Sequence, residues 1–323
     1  MQPGGADALH LVADIGGTHV RFALVTGPRG EPQSSLTLDT ADFPTLADAI
    51  RHYLVQCGAP TVIDAALAIA TPILGDRVKM TNHHWSFSIE ETRRAMGLER
   101  LLLINDFTAL ALGLPTLAQT ELRQVGGGEP ASGAPLALIG AGTGLGVSGL
   151  LSAGDGRWVP IAGEGGHVTL CASNNREADI LRVLRKKYGH LSAERVLSGR
   201  GLSDVYEAIA VLGNRTPKPL APEEVTRSGM AGSDPFCIEA LETFCAMLGS
   251  VAGNLALTLG ARGGVYIGGG IVPKLGEYFF RSPFRDRFEA KGRFTTYLAA
   301  IPAYVILAEN AALRGAAMAL ADA

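Results

Sequence analysis

The feature that most constrains this chain is a pair of glycines between two apolar runs near its beginning. Leu9–Ala13 and Val20–Val25 have the apolar character of strands, and Gly16-Gly17 lies between them. Two such runs around a Gly-Gly pair predict a β-hairpin with a tight turn. Asp14 comes near the end of the first strand, just before the residues that lack side chains.

This first glycine turn, Gly16-Gly17-Thr18, has the chemistry of a phosphate-binding site. A backbone without side chains lets its amide N–H groups approach an anion closely, and the hydroxyl of Thr18 adds a donor. A carboxylate such as Asp14 would repel a phosphate directly. With Mg²⁺ between the two groups, the carboxylate would instead hold the metal ion. The alternative is a hairpin whose glycines serve only to adopt positive φ.

The same layout of strand, glycine turn and strand recurs later in the chain. An apolar run at 136–139 leads into the second glycine turn, Gly142-Thr143-Gly144, and a further apolar run follows. Two such hairpins could hold a polyphosphate from two sides. A third glycine turn, Gly268-Gly269-Gly270, follows the run 263–267 and predicts a shelf for a nucleoside or phosphate. The P-loop pattern is absent from the chain.

Strands and helices alternate in the first third of the chain, which predicts an α/β unit with a partly parallel sheet. A buried strand is expected at 65–70, a helix opened by the capping box 88–91, and a second buried strand at 101–104. That strand ends directly in Asn105-Asp106. Ligands bind beyond the carboxyl ends of such strands, where Asp14 also lies. The alternative is that Asp106 is only the N-cap of the next helix.

The second half offers weaker single signals. Glu164 and His167 lie among glycines, and a lone histidine is more often structural than a ligand. Residues 192–195 predict the start of a short helix with Glu194 in its first turn, which is ordinary dipole chemistry. A long buried helix is expected at 236–260. The charged run 281–293 predicts a solvated face.

Composition excludes several classes of protein. The length of 323 residues suggests two domains, and a net charge of −3 without a long basic run argues against a nucleic-acid partner. The four cysteines show no C-x-x-C spacing, which predicts a reduced, cytoplasmic protein without structural zinc. Residues 1–8 lack the features of a signal peptide. The uncharged stretch 130–154 is interrupted by glycines, so no membrane span is expected.

Seven stretches in order resemble the actin/hexokinase/Hsp70 ATPase superfamily and, within it, the bacterial ATP-dependent glucokinase family. The resemblance covers nearly everything from Leu9 to Leu320. The related ROK sugar kinases carry a Cys-rich zinc motif after their histidine, which is missing here. The matching stretches are Ala13–Thr18, Met80–His83, Ile104–Ala109, Gly140–Gly146, Gly163–Val168, Glu194–Gly199 and Gly268–Pro273.

The resemblance implies an α/β, two-lobed actin-like ATPase (ribonuclease H-like) fold with an inter-lobe cleft that holds the sugar. The small lobe would comprise 1–116 plus 308–323, and the large lobe 117–307. Asp106 would be the catalytic base for the sugar 6-hydroxyl, and the ring hydroxyls would bind Asn105, Asp106, Glu164, His167 and Glu194. Mg²⁺ would bind near Asp14, through water. The nucleotide would contact Asp14, Gly16, Gly17, Thr18, Gly142, Thr143, Gly144, Gly268 and Gly269.

The implied activity is ATP-dependent phosphorylation of D-glucose to glucose 6-phosphate and ADP, the entry to glycolysis. The implied partners are glucose, ATP with Mg²⁺, and a second copy of the chain in a homodimer, with no nucleic acid and no membrane. Two alternatives remain open at this point. The substrate could be another hexose or an amino sugar, or the chain could be a non-catalytic sugar sensor on the same fold.

Overall fold

The structure is a computed structural model that describes residues 8–27, 29–80 and 83–322, with the side chain of 322 left out. Thr81 and Asn82 of the stretch Met80–His83, and most of the N-terminal extension 1–8, lie outside the described residues. Two compact units divide the chain. The first comprises Met1–Ala118, Trp158–Ala162 and Ala308–Ala323, and the second comprises Gln119–Arg157 and Gly163–Leu307.

Strands and helices alternate through both units. The strands are β1 (Leu9–Ile15), β2 (His19–Thr26), β3 (Gln33–Asp39), β4 (Asp64–Ile69), β5 (Arg77–Lys79), β6 (Ser86–Ser88), β7 (Arg100–Asn105), β8 (Leu122–Val125), β9 (Leu136–Ala141), β10 (Leu145–Gly154), β11 (Arg157–Ala162), β12 (Gly264–Gly268) and β13 (Ala303–Ile306). The helices are α1 (Leu46–Gln56), α2 (Ile89–Met96), α3 (Asp106–Gly113), α4 (Asn175–Arg185), α5 (Gly199–Leu212), α6 (Pro222–Met230), α7 (Pro235–Leu259), α8 (Val272–Leu275), α9 (Glu277–Arg281), α10 (Phe284–Glu289), α11 (Thr295–Ala299) and α12 (Ala311–Asp322).

The first unit is built on a sheet with the strand order β3-β2-β1-β4-β7. β1 and β2 form an antiparallel hairpin, whereas β1, β4 and β7 run parallel to one another. The hairpin and the partly parallel sheet predicted from the sequence are therefore confirmed. Every residue of β4 is buried, as expected for a parallel strand that is covered on both faces. The helix predicted after Ser88 is also confirmed, because the Ser88 hydroxyl accepts a hydrogen bond from the Glu91 amide and caps α2.

α12 covers one face of this sheet and packs closely against α3. Two glycines allow the approach. A Cβ atom on Gly113 would lie 2.1 Å from the carbonyl oxygen of Ala311, and one on Gly315 would lie 1.6 Å from that of Ala109. Any side chain at these positions would push the two helices apart, because real Cβ atoms do not approach backbone oxygens so closely.

The second unit contains a sheet in which β10, β9, β12, β13 and β8 lie in that order. β9 and β10 form an antiparallel hairpin around the second glycine turn, and β9, β12 and β13 run parallel. Among the described residues one helix, α7, is long and apolar enough to cross a membrane, and 72% of its most apolar window is buried inside the protein. Such burial is typical of a core helix, and the predicted long buried helix is confirmed.

Two predictions for the second unit are wrong. Ser192 forms an isolated β-bridge with Thr169, a bend and a turn follow at 193–195, and the next helix, α5, begins only at Gly199, with the Ser198 hydroxyl as its N-cap. Glu194 is therefore not part of a helix, and its orientation depends on tertiary contacts. The charged run 281–293 is also not a solvated face throughout. The side chain of Arg287 is 18% exposed and pairs with the buried Glu177, because α10 lies against α4 and α7.

Candidate active site

The parallel register brings Asp14 and Asn105-Asp106 to the same edge of the first sheet. Asp14 is aligned with Ala68 of β4, which is aligned with Ile104 of β7, so Asn105 is one residue further along. Strands lie about 4.8 Å apart, which gives a separation of roughly 10 Å between the backbones of β1 and β7. The predicted location of Asp14 and Asn105-Asp106 at one edge of the sheet is confirmed.

The helix that follows β7 is capped by Asn105. Its Oδ1 accepts hydrogen bonds from the amides of Phe107 at 2.9 Å and Thr108 at 3.1 Å. Asp106 is the first helical residue, and its Oδ1 accepts from the Phe107 amide at 2.9 Å. The alternative that Asp106 is the N-cap is therefore wrong. The helix N-terminus instead stabilises the negative charge on Asp106 electrostatically.

The carboxyl group of Asp14 is poorly solvated. Burial raises the pKa of Asp14 above its usual value, and the guanidinium of Arg21 partly opposes this shift. Arg21 faces Asp14 across the hairpin and donates hydrogen bonds to the carbonyl oxygen of Glu309 and the hydroxyl of Thr37. A desolvated carboxylate is an oxygen ligand for which a divalent ion would supply a compensating charge.

Hydrogen bonds hold the first glycine turn from its carbonyl side. The amide and hydroxyl of Thr40 both donate to the carbonyl oxygen of Thr18, each at 2.9 Å. The Gly16 amide donates to the His19 carbonyl oxygen at 2.9 Å. Gly16 does not adopt positive φ, and its Cβ would meet only the His19 oxygen at 3.4 Å. The alternative that this glycine serves a left-handed turn is thus wrong, so the hairpin itself does not require its lack of a side chain.

Three polar residues that were weak single signals lie together in the second unit. His167 Nε2 lies 3.9 Å from Glu164 Oε2, and His167 Nδ1 lies 4.0 Å from Glu194 Oε1. The Glu194 amide donates to the Gly166 carbonyl oxygen at 2.9 Å, which ties the two chain segments together. Glu164 and His167 are exposed and Glu194 is partly buried. The cluster therefore offers carboxylate and imidazole groups to a polar ligand.

The second glycine turn is held at both of its ends. The Gly142 carbonyl oxygen accepts from the Gly199 amide at 2.9 Å, and the Leu145 amide donates to Glu194 Oε2 at 3.0 Å. Across the turn, the Gly142 amide donates to the Gly144 carbonyl oxygen at 2.8 Å. A Cβ on Gly144 would lie 2.5 Å from Glu194 Oε2. The turn is thus held by hydrogen bonds and lacks side chains at two of its three residues.

The third glycine turn lies directly beside the second. Gly268 is aligned with Gly140 in the parallel pair β9–β12, and the Ile271 amide donates to the Ala141 carbonyl oxygen at 3.1 Å. Gly269 has φ of +79°, and a Cβ there would lie 2.3 Å from the Ala141 oxygen. Both the backbone conformation and the close approach require glycine at this position.

A cavity of about 1030 Å³ opens beside these two turns, entirely within the second unit. Its lining includes the predicted Gly142 and Thr143, together with residues from α5, α6 and α8 that sequence reasoning missed. The sequence signal for part of this wall was Glu194–Gly199, which ends at the first residue of α5. The lining residues that were missed include Arg200, Pro222, Thr226, Arg227 and Lys274.

Within residues 8–27, 29–80 and 83–322, no three His, Cys, Asp or Glu side chains lie close enough together to hold a metal ion. The first turn therefore offers Asp14 to Mg²⁺ without a complete set of protein ligands around it. Magnesium typically binds one or two carboxylates and completes its octahedron with waters and substrate phosphates. The donor set at Asp14 fits that pattern, in which the remaining ligands come from solvent and nucleotide.

The paired sheets with their glycine turns have the fold of the actin-like sugar kinases. A glucokinase from an Antarctic psychrotroph is 36% identical with a TM-score of 0.89, covering 98% of this chain and 99% of that one. A ROK family glucokinase from Streptomyces griseus, solved in complex with glucose and AMPPNP, has a TM-score of 0.63 at 20% identity, covering 98% of this chain and 100% of that one.

Sequence comparison defines the family more narrowly. The family model described as Glucokinase matches residues 11–323. The glucokinase of Chromobacterium violaceum is 58% identical over 312 residues, which cover 97% of this chain and 89% of that protein. This chain belongs to the glucokinase family.

Proposed function

We propose that the chain transfers the γ-phosphoryl group of ATP to the 6-hydroxyl of D-glucose, giving glucose 6-phosphate and ADP. Membership of the glucokinase family makes the chain an ATP-dependent kinase of glucose. The observation that best supports the residue roles is the parallel register of β1, β4 and β7, which aligns Asp14 and Asp106 at one sheet edge. A kinase of this type needs both a charge that holds the metal and a base.

Asp106 is proposed as the general base. A sugar hydroxyl is a weak nucleophile, and a carboxylate within hydrogen-bond distance can accept its proton as the O–P bond forms. Asp106 is the first residue of α3, where the partial positive charge of the helix N-terminus favours a negatively charged side chain. An ionised carboxylate is the form required to accept a proton.

The ring hydroxyls are proposed to bind Asn105, Glu164, His167 and Glu194. The Asn105 oxygen already accepts from two backbone amides, so its Nδ2 is the group with which it would donate to a hydroxyl. The two glutamates accept hydrogen bonds, whereas the imidazole of His167 can donate or accept. A site built from these groups favours a sugar with every hydroxyl present, because a missing hydroxyl leaves a polar group without its partner.

The nucleotide is proposed to bind the three glycine turns. The triphosphate would lie against Gly16, Gly17, Thr18, Gly142, Thr143 and Gly144, with the nucleoside beside Gly268 and Gly269. Asp14 would hold Mg²⁺ through water, and this ion supplies charge neutralisation of the phosphates. The adjoining cavity, with Arg200, Arg227 and Lys274 in its lining, is large enough for a nucleoside and carries cationic groups suited to an anionic ligand.

The protein is proposed to act in the cytoplasm as a homodimer, without a nucleic-acid or membrane partner. The four cysteines are all free thiols in the structure, and Cys237 and Cys245 are buried, which suits a reducing compartment. The net charge of −3 does not favour binding to nucleic acid. Light scattering during gel filtration would measure the oligomeric state directly.

A coupled assay with purified protein, Mg²⁺, ATP and glucose tests the proposed reaction. Formation of ADP should depend on glucose, and 6-deoxyglucose should give none, because it lacks the accepting hydroxyl. Mannose and glucosamine serve as competing substrates and test the alternative of another hexose or an amino sugar. Binding of glucose without any ADP formation would instead identify a sugar sensor.

A further inference from the structure

The carboxylate of Glu194 has two different neighbours, one on each of its oxygen atoms. Oε1 faces His167 Nδ1 at 4.0 Å, within the proposed sugar site. Oε2 accepts a hydrogen bond from the Leu145 amide at 3.0 Å, immediately after the second glycine turn. The Glu194 carboxylate therefore links the proposed sugar site to the backbone of the proposed phosphate site.

The backbone around Glu194 strengthens this connection. The Glu194 amide is bound to Gly166, and five residues further on the Gly199 amide binds the carbonyl oxygen of Gly142. The segment 194–199 thus holds the second glycine turn at both ends, by a side chain at Leu145 and by a backbone amide at Gly142. The lack of a side chain at Gly144 is also explained, because a Cβ there would displace Glu194 Oε2.

We propose that Glu194 is a positioning residue that couples sugar binding to nucleotide binding. This inference rests on the proposed function for the identity of the two ligands. When a sugar hydroxyl binds Oε1, it fixes the orientation of the carboxylate and therefore of the Leu145 amide and the turn before it. An ordered turn presents its amides to the phosphates at a smaller entropic cost, so glucose makes the nucleotide bind more tightly. Linkage requires that the nucleotide tighten glucose binding by the same factor.

Two substitutions of Glu194 distinguish the effect of side-chain length from the effect of side-chain charge. Glu194→Gln keeps the length and an oxygen that can accept from the Leu145 amide, but it removes the charge. Glu194→Asp keeps the charge, but one fewer methylene withdraws the carboxylate from that amide. Glu164→Gln is the matched control, because Glu164 lies in the same cluster near His167 Nε2, whereas Glu194 accepts the hydrogen bond from the Leu145 amide.

The experiment is calorimetric titration of the full-length protein with Mg²⁺ and AMPPNP, first without sugar and then with saturating glucose. In the wild type, glucose should tighten AMPPNP binding about tenfold. Without sugar, Glu164→Gln and Glu194→Gln should bind AMPPNP within about twofold of the wild type, while Glu194→Asp binds about tenfold more weakly. In the Asp variant glucose should no longer tighten nucleotide binding.

Two results would overturn the proposal. Wild-type AMPPNP affinity in both Glu194 variants without sugar would show that the residue contacts sugar alone. Weakening in Glu194→Gln but not in Glu194→Asp would assign the effect to charge and not to the Leu145 hydrogen bond. Melting temperatures measured in parallel identify any general loss of folding. The sugar-free titrations remain interpretable even if the wild type fails to phosphorylate glucose, so failure of the proposed function is a separate result.

Discussion

The first and second glycine turns have the same backbone arrangement, but charged residues lie beside the first turn and glycines lie beside the second. Each joins an antiparallel hairpin whose first strand also pairs with a parallel neighbour. The penultimate residue of the first strand is Asp14 in one hairpin and Gly140 in the other. Their hairpin partners are Arg21 and Gly146, and their parallel neighbours are Ala68 and Gly268.

This difference teaches that one fold element can serve two roles. Charged side chains at the first turn create a place where a metal ion and ionisable groups can meet. At the second turn the same positions are glycines, and Gly140 and Gly268 are buried within the sheet. The carboxylate that the second turn uses, Glu194, comes from a separate segment and binds an amide.

The largest expected effect follows from the chemistry assigned to the first sheet edge. Asp106→Asn keeps the shape of the side chain but cannot accept a proton, so kcat should fall about 10²–10⁴-fold. The N-cap is Asn105 and remains in place, so the melting temperature should change little. Steady-state kinetics and AMPPNP titration measure both effects. Near-normal turnover would mean that the base lies elsewhere in the chain.

Asp14→Asn should remove the charge that distinguishes the first turn from the second. We expect a loss of about 10–100-fold in activity at limiting Mg²⁺, which is typical for disturbed metal sites. The ligand-free variant should meanwhile be more stable at neutral pH by about 1 kcal/mol, since the poorly hydrated charge is gone. Activity as a function of Mg²⁺ concentration, and thermal unfolding without ligand, are the two measurements.

The pH dependence of that stability gain has a definite sign. The pKa of Asp14 is raised in the folded protein above its ordinary value of 3.8. As the pH rises above 3.8 and through the folded pKa, the wild type loses stability that the Asn variant retains. The difference in melting temperature should therefore grow from acidic to neutral pH. A difference that shrinks over this range would contradict the proposed burial cost.

The helix crossings extend the comparison from the turns to the cores of the two units. Gly315→Ala would force the α3–α12 pair of the first unit apart, and Gly249→Ala would do the same to α7–α10, where a Cβ lies 2.1 Å from the Phe284 oxygen. Each should lower the free energy of unfolding by about 1–3 kcal/mol. Gly127→Ala, which has nothing within 4 Å, is the control and should stay within about 0.5 kcal/mol.

The smallest expected effect concerns Gly142, the first residue of the second glycine turn. A Cβ on Gly142 would come no closer to the protein than 3.9 Å, at the Gly270 amide. Gly142→Ala should therefore leave the melting temperature unchanged while weakening AMPPNP roughly tenfold, or about 1.4 kcal/mol. The weakening is expected because the methyl group occupies the approach to the turn amides. Unchanged nucleotide affinity would remove this turn from the proposed phosphate site.

The sequence by itself determined the elements on which the candidate site depends. Apolar runs around glycine pairs predicted both hairpins, because the strand period and the turn residues are local signals. The alternation of strands and helices predicted the partly parallel sheet and, with it, the shared edge of Asp14 and Asp106. The order of the matching stretches indicated the family that the comparisons then established.

Only the tertiary structure decided what each polar residue contacts. Residues 192–195 failed as a helix because Glu194 is held by Gly166 and Leu145, which lie far away in the sequence. The wall of the cavity formed by α6, and the burial of Arg287 against Glu177, likewise depend on which helices pack together. Local patterns encode period, turn and cap, whereas these contacts arise from long-range packing of residues that are distant along the chain.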